Sequence, residues 1–336
     1  MTLSRRDWLA ATAAMSASVM IAQPGRAAQK LKITLPATES NEAAYFIAQE
    51  KGYFAAEGLD VEFVYAGGGT ATPALLSGTV DASASSASAL SAIVRGADLR
   101  IVLVFQDTPN YQLWANPEIH SLSDLKGKSV GIATRGDTFE IGTRLALQNA
   151  GIPPDSVGYS PLGFSNTIAA ALVSNALPAV VLDSTDSDRM RDSGQFKNAH
   201  VVFDYYRKVY MPYNGMVVSG KFLTGSPDVL KSLLRALVKG TRYFRTFKAQ
   251  SIAFTAKYQK TPPDAHAQST DYDNMLKSLS PDLAVSDDLS RSDVDLRASL
   301  NGVPKDQVPA LDKIYDFRPL RAATAQLDAE RWKPSA

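Results

Sequence analysis

The side chain with the longest chemical reach is Arg135, in the run Thr134-Arg135-Gly136-Asp137-Thr138. An apolar strand pattern, Ser129–Ala133, precedes this run, and a helical pattern ending at Asn149 follows it. A guanidinium there adds fixed donors to a helix N-terminus, a place that already favours negative charge. It can hold a carboxylate or sulfonate, or it can pair with Asp137 or Glu140. Glu39 follows another strand pattern, Lys30–Leu35, and Asp183 ends a third, Ala179–Asp183. They can accept from an amine or ring N–H on the same ligand, or stand on the surface without a partner. Tyr205, Tyr206, Tyr210 and Tyr213 can stack on an aromatic ligand or pack a hinge.

Reaction chemistry finds little footing. His120, His200 and His266 are scattered, and there is no G-x-S-x-G elbow, P-loop or H-E-x-x-H. The acidic run Asp183-Ser184-Thr185-Asp186-Ser187-Asp188 resembles a calcium loop but lacks its glycine and terminal glutamate spacing, so it reads as a helix start. No metal or cofactor is expected.

These residues need a frame that brings loops together. Leu59-Asp60-Val61-Glu62-Phe63 alternates apolar and acidic, the period of a half-buried strand. Ahead of it a short helix from Tyr45 closes at Gly52. Behind it come Gly67-Gly68-Gly69 and Thr72-Pro73, which predicts a helix starting at the threonine cap. Leu99–Phe105 is a nearly continuous apolar run, broken only by Arg100, of the kind buried in a parallel sheet. Strand and helix patterns then alternate through Val157–Ser160, Ala179–Asp183, Val201–Asp204 and Met216–Val218. Beyond Pro227 the pattern is helical, opening with an amphipathic helix over Asp228–Lys248. Two strand-helix series, with a change of sheet near Tyr111–Ser121 and a return near Tyr210–Val218, imply two α/β lobes joined by two crossings. The expected division is residues 29–115 and 216–336 for lobe one and 116–215 for lobe two.

Residues 1–28 read as a twin-arginine export signal. Arg5-Arg6 is followed by an uncharged run from Ala10 to Ala22 and the small-residue exit Gly25-Arg26-Ala27-Ala28. The run falls short of the roughly 20 apolar residues that span a bilayer. With no cysteine, the chain can carry neither a disulfide nor a lipoprotein anchor. A periplasmic location follows as the expectation. The 336 residues are 45% hydrophobic and 21% charged, enough for one large core or two moderate ones. Without residues 1–28, Lys+Arg falls from 35 to 32 and Asp+Glu from 34 to 33, a net charge of −1. No basic excess remains for nucleic acid or an anionic membrane.

Four segments resemble the periplasmic solute-binding proteins of ABC importers, in the branch that includes taurine, alkanesulfonate and nitrate binders (SsuA/TauA-like) and the NMT1/THI5-like thiamine-precursor proteins. They are Ala48–Glu62 (A-Q-E-K-G-Y-F-A-A-E-G-L-D-V-E), Leu75–Ser83 (L-L-S-G-T-V-D-A-S), Ser121–Ile132 (S-L-S-D-L-K-G-K-S-V-G-I) and Ser226–Leu230 (S-P-D-V-L). The resemblance covers roughly Leu31 to Lys248. It implies a type II two-lobed binding protein with a helical C-terminal extension. The pattern S-G-x-V-D-A common in relatives is here Ser174-Asn175-Ala176-Leu177-Pro178-Ala179, so a sulfonate specificity does not transfer directly.

The resemblance further implies a ligand held between the lobes by loops at strand C-ends, which offer backbone N–H groups and short polar side chains. In lobe one these are Glu39 and Asn41, Gly69 and Thr70, and Ser85 and Ser86. In lobe two they are Thr134, Arg135, Gly136, Asp137 and Thr138, then Phe164 and Asn166, then Asp183. Tyr213 and Asn214 lie at the return crossing. Each serine, threonine or asparagine can equally serve only as a helix cap. The implied role is a monomeric binder that captures a small polar organic anion or zwitterion by hinge closure and delivers it to the permease subunits. The alternative ligand is an aminopyrimidine thiamine precursor. A THI5-type pyrimidine-synthesising enzyme fits less well, since such proteins carry a cysteine-rich motif.

Overall fold

The computed structural model describes residues 28–163, 165–259 and 265–336. The segment read as an export signal lies, but for Ala28, outside them, as does Phe164. Among the described residues no helix is long and apolar enough to cross a membrane.

The chain builds a first sheet, crosses to a second, and returns. Strands β1 (Gln29–Leu35) and β2 (Leu59–Tyr65) pair in parallel in the register Leu31↔Val61 and Ile33↔Phe63. Between them helices α1 (Ala43–Glu50) and α2 (Tyr53–Ala56) are separated by Gly52 at φ 67°, the left-handed residue that ends the first helix. Helix α3 (Gly68–Ser77) starts at the glycine run and not at Thr72-Pro73 as expected. Gly67 serves as its N-cap, and Pro73 sits within the helix. Then follow β3 (Ala82–Ser83), α4 (Ser86–Val94) and β4 (Leu99–Gln106).

The second sheet opens with β5 (Tyr111–Ala115), which pairs antiparallel with β8 (Ala179–Asp183) and β9 (His200–Asp204). The first crossing therefore falls at residues 107–110, ahead of the boundary expected at 115, because Tyr111 is already in register with Asp183. Strands β6 (Ser129–Ile132) and β7 (Gly158–Pro161) complete the order β7-β6-β8-β5-β9. Helices α5 (Thr138–Asn149), α6 (Ser165–Val173) and α7 (Ser184–Asp192) cover this sheet. The chain returns through β10 (Asn214–Ser219), wedged antiparallel between β3 and β4 to give the order β2-β1-β3-β10-β4. At its bulge a Cβ on Gly215 would stand 2.1 Å from the Leu103 carbonyl oxygen, so only glycine fits.

The rest is helical: α8 (Gly220–Gly225), α9 (Pro227–Thr246), α10 (Lys248–Gln259), α11 (Ala265–Ser278), α12 (Asp287–Leu300), α13 (Leu311–Ile314) and α14 (Arg318–Ala329). Residues between these helices cover the edge of β4. Val104 N donates to Leu283 O at 2.8 Å, Ser280 N to Phe105 O at 2.7 Å, and Asp316 N to Ile101 O at 3.0 Å. The edge that would otherwise invite pairing with another chain is thus occupied.

Helix α12 is fixed by an ion pair inside the protein. Arg297 Nε donates to Asp293 Oδ1 at 2.7 Å with the two side chains 2% and 0% exposed, and Arg297 Nη1 donates to Ser91 Oγ on α4 at 3.0 Å. Removing one partner leaves the other charge buried and unmet. Asp293→Ala is expected to cost about 3–5 kcal/mol of stability, measured as a fall in the urea midpoint. The double replacement Asp293→Leu with Arg297→Met, which removes both charges, should recover most of that loss. A midpoint unchanged by Asp293→Ala would show that the pair does not hold α12.

Candidate functional site

The strand C-ends of the two sheets face each other across a cavity of about 390 Å³. Lobe one contributes Glu39 and Asn41 from the loop after β1 and Gln106 from the end of β4. Lobe two contributes Tyr111, then Thr134, Asp137, Thr138 and Phe139 around the start of α5, and the start of α7. Gln259, Asp271, Asn274 and Met275, from α10 and α11, form a third wall.

One corner is aromatic. Tyr111 meets Phe139 edge-on with ring centroids 4.6 Å apart, and Tyr213 at 5.3 Å. The Tyr111 hydroxyl is fixed by Thr138 Oγ1 at 2.5 Å, and Asn41 Nδ2 donates to Tyr213 Oη at 3.4 Å. The other walls are acidic: Glu39, Asp137, Asp183, Asp186 and Asp271 all line the cavity. Among the described lining residues the single cation is Arg189, and it already donates to Asp186 Oδ1 at 2.6 Å with its side chain 56% exposed.

Local structure explains two of these acids. Asp137 caps α5, accepting from Glu140 N at 2.8 Å and from Thr134 N at 2.6 Å. Asp183 caps α7, accepting from Asp186 N at 2.9 Å. Caps at helix N-termini tolerate the charge. The remaining balance is unfavourable to ionisation. Burial pushes the Glu39 carboxyl above its ordinary value, and the charges of Asp271 and Asp186 add to the rise. Burial and then Asp186 push Asp183 well up. Burial also raises Asp271, against hydrogen bonds from Ser40 and Thr185 that hold it down. Two further groups wait for partners: Gln106 Oε1 and Asn274 Nδ2 are buried without a hydrogen bond among the described residues.

Seven of the candidates from sequence converge here. Glu39, Asn41, Thr134, Asp137, Thr138, Asp183 and Tyr213 line the cavity. Ser85 and Asn214 line a smaller chamber of about 210 Å³ that shares Glu39, Asn41, Thr138 and Tyr213 with it. The other described candidates stand apart. Arg135 is exposed and does not line the cleft. Its charge acts on Tyr159, where it opposes the rise that burial causes. It does not take up Asp137 or Glu140 either, for Glu140 accepts from Arg144 Nε at 2.9 Å and from Gly136 N at 2.9 Å. Gly136, at φ 74°, reverses the chain beside it and is itself exposed. Gly69 and Thr70 lie exposed in the first turn of α3, where Thr70 Oγ1 donates to Gly67 O at 3.1 Å. Ser86 is fully buried and donates to Pro212 O at 2.9 Å, and Asn166 is exposed outside both chambers.

Sequence reasoning missed Tyr111, Asp186, Arg189 and the whole α11 wall. Asp186 was visible as part of an acidic helix start. The α11 residues carry no local signal, because only the long-range path of the extension brings them to the cleft.

A cleft between two α/β lobes, reached by two chain crossings, defines the periplasmic-binding-protein fold. The NMT1/THI5-like family matches residues 39–246, and the chain belongs to that family. Among curated proteins it is 28% identical over 206 residues to the riboflavin-binding protein RibY of Chloroflexus aurantiacus, a match covering 59% of this chain and 57% of that one. The chain thus spans little more than half the length of this relative. In fold it is similar to the periplasmic aliphatic sulphonate-binding protein SsuA from Escherichia coli, with TM-score 0.68, 18% identity and 86% and 92% of the two chains covered. It is also similar to the periplasmic nitrate-binding protein NrtA from Synechocystis PCC 6803, with TM-score 0.65, 14% identity and 92% and 91% covered.

The raised Glu39 carboxyl has a consequence for stability. Its folded value lies above the ordinary 4.5, so the folded protein holds a proton that the unfolded chain releases. That contribution is complete below about pH 4 and is lost as pH rises through the folded value. Glu39→Gln, which cannot ionise, is therefore expected to melt above the parent protein at pH 7, with the gap closing toward pH 4. Thermal melts of both across that range check it, and a gap independent of pH would contradict the raised carboxyl.

Proposed function

We propose that this chain is the substrate-binding component of an ABC importer. It closes on a small planar nitrogen heterocycle bearing hydrogen-bond donors or positive charge and presents it to the permease in the periplasm. The observation that carries this reading is the charge of the cleft. Five carboxyl groups and an aromatic corner surround a space whose single cation among the described residues is already paired. An anion about 4 Å from one such carboxylate meets repulsion on the order of 4 kcal/mol at an effective permittivity near 20. An amine or ring N–H instead relieves the crowding that raises these acids, and the ring stacks on Tyr111, Tyr213 or Phe139.

The charge favours the aminopyrimidine alternative, widened to heterocycles in general, over the sulfonate or carboxylate that Arg135 suggested. The likeness to a riboflavin-binding protein points the same way, since riboflavin is such a heterocycle. SsuA and NrtA share the fold but serve anions, and the acids of this cleft argue against that transfer. The mechanism is population shift. The ligand touches both lobes only when they are together, so its binding energy favours the closed form.

A thermal-shift panel tests the reading, with riboflavin, thiamine and 4-amino-5-hydroxymethyl-2-methylpyrimidine set against taurine, methanesulfonate and nitrate. At a hundredfold excess over Kd a ligand adds about 2.7 kcal/mol, which raises Tm by roughly 2 °C or more. Asp183→Asn keeps a capping side chain while removing the charge. It should weaken a heterocycle at least about tenfold, whereas Arg135→Ala should leave affinity within about twofold. Stabilisation by sulfonates alone, strengthened by Asp183→Asn, would overturn the proposal.

A further inference from the structure

Helix α11 is rooted in lobe one. Tyr272 Oη donates to Phe244 O of α9 at 2.5 Å, Gln106 Nε2 donates to Ser278 Oγ at 2.6 Å, and Leu279 bridges Gln106 at the end of β4. From that base the helix reaches over the cleft. The Asp271 carboxylate takes the Ser40 hydroxyl of lobe one on Oδ2 and the Thr185 hydroxyl of lobe two on Oδ1, the latter at 3.0 Å. One turn and a half further on, Tyr206 Oη of the return crossing donates to Lys277 O at 3.0 Å, and Lys277 Nζ lies 4.2 Å from the Tyr206 ring centre. The helix falls outside residues 39–246, the span shared with the family.

We infer that Asp271 is a clasp. Ser40 orients its carboxylate, and through Thr185 it holds α7 of lobe two against lobe one, so that α11 sets how readily the cleft opens. This is a positioning role that rests on the binding function proposed above and deepens it. Thr185 lies in the first turn of α7, where the N-cap Asp183 and its neighbour Asp186 also line the cleft. A clasp at this point therefore fixes lobe two's acidic side relative to Glu39. Asp271 acts on lobe separation whatever the ligand is.

The chain has no cysteine, so two introduced thiols can be labelled without interference. Leu76→Cys and Val173→Cys replace exposed apolar side chains, one on each lobe. The inter-lobe distance between labels at these positions, measured by double electron–electron resonance without ligand, should lengthen with Asp271→Ala and equally with Thr185→Val. The double replacement should add nothing further, and Asp271→Asn, which retains one acceptor oxygen, should fall between. A merely structural role for Asp271 would lower the melting temperature and leave the distance distribution unchanged, and that result would overturn the clasp. For any heterocycle that binds, Asp271→Ala should speed dissociation at least tenfold; an unchanged dissociation rate also counts against it. Failure of every heterocycle to bind the parent protein would overturn the importer reading, while the ligand-free distances would still decide the clasp.

Discussion

The cleft depends on two strands of chain that cross between the lobes side by side. Residues 106–110 leave lobe one and residues 205–213 come back, and they are tied to each other along the way. Met211 N donates to Asp107 O at 2.9 Å, Tyr213 N to Gln106 O at 3.0 Å, Thr108 Oγ1 to Val209 O at 3.0 Å, and Arg207 N to Thr108 Oγ1 at 2.9 Å. Each end of this ribbon is anchored in a different core. Tyr205, Val209 and Met211 are buried with lobe two, whereas Tyr45 Oη donates to Gly215 O at 2.9 Å in lobe one. A narrow, hydrogen-bonded ribbon between two packed bodies is where relative motion concentrates. The same ribbon carries Gln106, Asn110, Tyr111 and Tyr213 to the floor of the cleft.

The acids follow from the same topology. Strands ending at a common cleft place the loops there, and the loops begin helices that need caps. Asp137 and Asp183 meet that need, and the N-terminal ends of α5 and α7 partly offset their charge. Glu39 and Asp271 have no helix beginning of comparable length behind them; Glu39 precedes only the single turn Ser40–Glu42. The hydroxyls of Ser40 and Thr185 offset part of the desolvation of Asp271, and neighbouring acids of like charge add to the cost at both sites. This imbalance is what the proposed donor-rich ligand would relieve: Asp137 and Asp183 are already met by backbone N–H groups, whereas Glu39 and Asp271 crowd the cleft with like charge.

The two-lobed frame was legible because burial leaves a periodic trace. Leu59–Phe63 and Leu99–Phe105 became β2 and β4, and Ala179–Asp183 became β8 with its own end residues. The trace failed where position depends on distant chain. Tyr111–Ala115 looks like a passage between lobes until β8 and β9 close on either side of it. Thr72-Pro73 has the local chemistry of a helix start, yet α3 begins at Gly68, where Gly67 accepts from Thr70 N at 3.0 Å and Ala71 N at 2.8 Å. At the site, residue type and loop identified Glu39, Asp137 and Asp183 as cleft groups. They did not reveal which way Arg135 faces, because that is decided by the turn at Gly136 and by Glu140 being taken by Arg144.

The C-terminal extension joins these themes. Its segments at 279–283 and 315–316 shield the β4 edge, and that attachment leaves α11 placed to overhang the cleft. Leu296 of α12 packs with the lobe two core while Arg297 on the same helix binds Ser91 of lobe one. The extension is thus not a passive appendage of one lobe; it touches both. Hydrogen bonds of the Asp271 kind each contribute about 1–2 kcal/mol net. Moving a two-state equilibrium from 1:99 to 99:1 takes about 5.5 kcal/mol of differential affinity. A few such contacts can bring the lobes near balance without locking them. On the binding reading proposed above, a ligand held by carboxyl groups drawn from both lobes and α11 supplies the larger share that favours closure.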